Sequence, residues 1–99
     1  MIDRITKNEK RLDDILQSIK NLEEALSAFK EKKNDINLLN RYYGSDNWFK
    51  DKEAYENNKI PKIKAGVLSE DTVWNMNEDI NDLIEEMKLI IDNFYKEGL

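Results

Sequence analysis

The sequence predicts an all-α protein: a long antiparallel helical hairpin, coiled-coil-like, with a structured connector that contains a short helix. Two segments repeat their apolar residues with a seven-residue period, and the residues that break helices fall between them. Composition agrees. A chain of 99 residues with 39% hydrophobic and 37% charged content reads as one small domain of long helices with solvated faces.

The first arm is read from about residue 3 to about residue 42. Ile5, Leu12, Ile19 and Leu26 form one column, and Ile15, Leu22, Phe29 and Ile36 the other. Only Asn8 and Lys33 interrupt this seam, and no Gly or Pro precedes Gly44. At 1.5 Å per residue such a helix is about 60 Å long. It is too polar to stand alone, so it needs a partner surface.

The connector is read as residues 43–68. Gly44 ends the first helix, and Ser45 or Asp46 can cap a short one carrying Trp48, Phe49, the stem of Lys52 and Tyr55 on one stripe. Pro61 biases Ile60 towards extended backbone, and Gly66 permits a turn. Ile60, Ile63, Val67 and Leu68 are too apolar for a free linker, so the loop is expected to pack.

The second arm spans about residues 69–97. Val73, Ile80, Met87 and Phe94 form one column and Met76, Leu83 and Ile90 the other, with Ile84 and Ile91 widening the stripe. Ser69 can cap its start, Glu70 and Asp71 suit the positive end of the helix dipole, and Leu68 can staple onto Val73. Gly98 supplies a stop.

Much chemistry is excluded, and no activity is named. The chain has no cysteine and no histidine, so disulfides, thiolate chemistry, the commonest general base and the commonest transition-metal ligand are absent. No catalytic residue, cofactor site or metal site is assigned. The first twenty residues carry charge throughout, so no signal peptide is expected, and no run approaches the roughly 20 apolar residues of a membrane span. A soluble cytoplasmic protein is the expectation. The net charge of −5 is uneven: residues 1–64 are near +2, whereas 65–99 hold only Lys88 and Lys96 against nine acids. That acidic third argues against nucleic acid as a partner. It favours docking between the two parts of the chain, or between copies of it.

Three groups of residues invite a functional reading. Tyr42, Tyr43, Trp48 and Phe49 crowd into eight residues, with Trp74 further along. They are either a recognition surface, which Tyr and Trp favour, or a packing plug over the open end of the hairpin seam. Aromatics at helix ends mostly pack, so the plug is the better account, and Trp48 and Trp74 are both expected to be substantially buried. The acids Glu78, Asp79, Asp82, Glu85 and Glu86 flank the seam and face outward, whereas bundle metal sites need inward carboxylates and a histidine. Lys30, Lys32 and Lys33 have Glu31 and Asp35 among them, which weakens any phosphate-binding patch.

Two motifs go further. "YYGSDNW" (Tyr42–Trp48) and "GVLSEDTVW" (Gly66–Trp74), with "IP" (Ile60, Pro61) between them, resemble the bacterial family of small helical proteins known as domain of unknown function 4298. The resemblance spans the chain. Acidic–aromatic–acidic residues commonly follow the first Trp there, where this chain has Asp51, Lys52 and Glu53. It implies a bacterial cytoplasmic protein and carries no assigned activity.

The functional expectation is a non-catalytic protein–protein interaction or adaptor module with an unidentified protein partner. The alternative is a small acidic inhibitor or immunity-type protein that blocks an enzyme or a nucleic-acid-binding protein. Two helices enclose a single seam, so a two-fold homodimer is favoured over a monomer.

Overall fold

A computed structural model describes residues 1–98. The described residues form helices and turns with no strand: α1 (Ile2–Lys30), α2 (Lys33–Tyr42), α3 (Asp46–Glu56), a single 3₁₀ turn (Gly66–Leu68) and α4 (Thr72–Glu97). Two compact units make up the chain, Met1–Asn37 and Leu38–Leu99.

The first unit is α1 and the start of α2. The expected unbroken helix over 3–42 is interrupted at Glu31 and Lys32. The Lys32 N–H bonds the Phe29 carbonyl, three residues back, before Ile36 resumes four-residue bonding to Lys32. The interruption falls where the seam fails: Lys30–Asp35 contains no apolar side chain to hold that turn. Along α1, side chains bond mainly to one another. Lys10 meets Asp14 at 2.6 Å, Gln17 donates to Asn21, and Asn8 bonds both the Arg4 carbonyl and the Arg11 guanidinium. Such exposed pairs add only a few tenths of a kcal/mol each. No residue of α1 is buried.

The second unit is the closed end of a helical hairpin. Gly44 leaves α2 at φ 78°, the left-handed region. A Cβ there would meet nothing within 4 Å, so the glycine is required for its backbone and not for space. Ser45 then caps α3, its hydroxyl accepting the Trp48 N–H at 3.2 Å, as the sequence indicated. α3 ends in a Schellman motif. Asn58 sits at φ 57°, Lys59 N–H bonds the Ala54 carbonyl and Asn58 N–H bonds that of Tyr55.

Ser69 caps α4 although the regular helix begins three residues later. Its hydroxyl oxygen accepts the N–H groups of Asp71 and Thr72 at 3.3 and 3.1 Å. The pairings Tyr43 with Glu70 and Asn40 with Asn77 diverge from the connector in step, so the last turn of α2 and the first turns of α4 run antiparallel. The core is small: Trp48, Leu68 and Val73 are 4%, 8% and 2% exposed. Leu68 and Val73 lie on either side of the cap, as a hydrophobic staple places them. Ile60 is half-buried, but Ile63 and Val67 are exposed, so the connector packs only in part.

Candidate functional site

Two features of the second unit compete as the site: the aromatic closed end and the apolar face of α4.

The closed end is built around Trp48. The first turn of α3 presents the indole to Tyr43 and Phe49, both edge-to-face at centroid distances of 5.3 and 5.0 Å. Lys52, one turn on, holds its Nζ 5.2 Å from the Trp48 ring and donates to Glu70 at 3.0 Å. The Glu70 carboxylate therefore holds the Lys52 pKa above its ordinary value.

The polar tips explain why these positions are Tyr and Trp rather than Phe or Leu. Residues between α3 and α4 lack regular structure apart from one 3₁₀ turn, so their carbonyls need partners. Trp48 Nε1 donates to Val67 O at 2.8 Å, Tyr55 Oη to Ile63 O at 3.3 Å, and Tyr43 Oη to Glu70 O. Each ring covers apolar surface while its tip ties down the connector backbone. Tyr42 does the same within the helices. Its hydroxyl donates to Asp51 at 2.7 Å, and that bond, with some burial and the nearby negative charge, pushes its pKa up to about 12.

The cluster named from the sequence thus separates. Tyr43 and Trp48 pack edge-to-face in one hydrogen-bonded assembly, while Tyr42 bonds Asp51 of α3. Phe49 touches Trp48 but is 60% exposed. Trp74 corrects the expectation of burial, being 57% exposed. It follows the buried Val73, and adjacent helical residues point about 100° apart. Ser69 acts as the cap. Sequence reading missed the reciprocal amide pair of Asn40 and Asn77, at 3.2 and 2.8 Å.

The face of α4 is different. From Leu83 onward Leu83, Ile84, Met87, Ile90, Ile91 and Phe94 lie within an arc of about 120°, and all are exposed. Asp79 and Glu86 line one edge of that arc and Asn77 and Lys88 the other. Nothing in the second unit packs on these turns.

Among the described residues, no helix is long and apolar enough to cross a membrane. Neither the curated proteins nor the solved structures contain a match to this chain. Residues 5–90 match the family model described as domain of unknown function (DUF4298). That match covers most of the chain, and the chain belongs to this family.

Proposed function

We propose that this DUF4298 member is a non-catalytic protein–protein interaction or adaptor module of the cytoplasm, binding through the apolar face of α4. The supporting observation is how burial is distributed. Trp48 is already enclosed and its N–H already used, so the aromatic end has little left to offer a partner. The stripe from Leu83 to Phe94 offers six large apolar side chains on one helix face. A contiguous patch of that kind marks interaction sites more often than chance surface. The partner contributes an apolar surface of its own, and nucleic acid is disfavoured by the charge of α4. We also propose self-association into a homodimer, through a surface other than α4.

That charge also supports the second reading, a small acidic inhibitor or immunity-type protein. Among its charged residues α4 carries seven acids, from Glu78 to Glu97, against Lys88 and Lys96. Affinity capture from the native host separates the two. Ile84→Asp with Ile91→Asp should abolish capture if the apolar face binds, with helicity by circular dichroism retained. Asp82→Asn with Glu85→Gln and Glu86→Gln should abolish it only if the acidic flank binds. Capture unaffected by either set would overturn both.

A further inference from the structure

The charges along α1 are ordered, and the order selects a partner. Residues 2–11 hold Arg4, Lys7, Lys10 and Arg11 against Asp3 and Glu9, a net of +2. Residues 13–24 hold Lys20 against Asp13, Asp14, Glu23 and Glu24, a net of −3. Leu12 stands between them. Through both halves runs one apolar stripe, Ile5, Leu12, Ile15, Leu16, Ile19 and Leu22, every member exposed. A helix of this kind is complementary to a reversed copy of itself. Laid antiparallel about Leu12, Lys10 and Arg11 of each copy face Asp14 and Asp13 of the other, with Arg4 opposite Lys20 the one like-charged match, whereas a parallel copy sets like charge on like charge throughout.

We infer that two copies of the chain pair through residues 2–24 of α1, antiparallel, with Leu12 near the two-fold axis. The contact is isologous and closes on itself, as a two-fold dimer requires. Self-pairing through α4 is opposed, because its acids so outnumber Lys88 and Lys96 that two copies repel. The surface on α1 is separate from the α4 face assigned above, so either assignment can fail alone. Over 23 residues the paired length is roughly 35 Å. One helix face of that length buries less than the ~800 Å² per partner of a standard interface.

The local contacts of α1 leave its charges available for the pairing. The 2.6 Å contact of Lys10 with Asp14 is intrahelical and exposed, so both groups can exchange it for partners across the axis. Asn8 interrupts the stripe four residues before Leu12. In the antiparallel pair the two copies of Asn8 lie about 12 Å apart along the axis, while in a parallel pair they sit side by side.

Sedimentation equilibrium of the full chain at micromolar concentration tests the pairing. The wild type is expected at twice 11.8 kDa. Lys10→Glu with Arg11→Glu makes both halves acidic, and Asp13→Lys with Asp14→Lys makes both basic. Each variant alone is expected as a monomer, and an equimolar mixture as a dimer, which also shows that neither substitution destroyed the helix. The natural chain has no cysteine, so orientation is read by oxidising single-cysteine variants. Leu12→Cys is expected to form a disulfide-linked dimer. Asn8→Cys is not, since a disulfide needs Cα atoms within about 7 Å. A wild-type mass of 11.8 kDa, variants that dimerise unmixed, a mixture that stays monomeric, or cross-linking through Asn8→Cys would each overturn the proposal.

Discussion

Replacing Trp48 by Ala should unfold the closed end. The indole is 4% exposed and is one of only three buried apolar side chains among the described residues. A buried Trp removes 150–250 Å² from water, and at about 25 cal/mol per Å² its loss costs at most roughly 4–6 kcal/mol. Two effects reduce that figure. The unfolded chain already shields part of the ring, and exposed Phe49 can relax into the gap. The bond from Nε1 to Val67 O adds about 1 kcal/mol or less, because Val67 is exposed and water can replace the donor. The expected loss is therefore about 3 kcal/mol, the low end for Trp→Ala. In a chain of this size it corresponds to a melting temperature lower by roughly 12–24 °C.

Thermal melts followed by far-ultraviolet circular dichroism measure this, and two controls apportion it. Trp48→Phe keeps most of the ring contacts and loses the N–H, so it should cost about 1 kcal/mol. Trp74→Ala removes a ring that is 57% exposed and should stay within about 0.5 kcal/mol of wild type. An unchanged melting temperature for Trp48→Ala, with a partner interaction lost, would refute the reasoning and make the cluster a recognition surface.

Gly44→Ala should cost about 1–2 kcal/mol in urea melts, because its φ of 78° penalises any Cβ even though the space is open. Ser69→Ala should cost about 1 kcal/mol by the same assay, since the hydroxyl serves the N–H groups of Asp71 and Thr72 at the start of α4. Tyr42 should titrate near pH 12 instead of 10 when phenolate absorbance is followed into alkali. Its neutral hydroxyl donates to Asp51, so this stabilisation is complete below pH 10 and is lost as pH rises through about 12. Tyr42→Phe should remove that alkaline dependence.

The parts legible in the sequence are those set by local chemistry. Gly44, the Ser45 cap and the Ser69 cap depend on neighbours within a few residues, and each stood where its residue type placed it. The interruption at Glu31–Lys32 was foreshadowed by the failed seam at Lys33, but a period count over forty residues absorbs one polar position. Trp74 was misjudged because a ring next to the buried Val73 looks like core until the 100° step between them is counted. The tertiary hydrogen bonds were not legible. Trp48 to Val67 and Asn40 to Asn77 join residues 19 and 37 apart, and one sequence gives no register across a connector.

The same geometry grades stability along α4. Val73 is buried, Met76 and Ile80 are half-buried, and every position from Leu83 is exposed, so the unit's own packing ends near the second turn. A helix without packing on its apolar face keeps only its intrinsic propensity, which for a few turns is marginal. Amide hydrogen exchange should therefore be slowest over Val73–Ile80 and quicken towards Glu97, the opening energy falling from that of the whole unit towards zero. A binder of the α4 face should slow exchange selectively over Leu83–Phe94. Uniform protection along α4 in the isolated chain would refute the gradient, because it would mean that another segment already covers the apolar face.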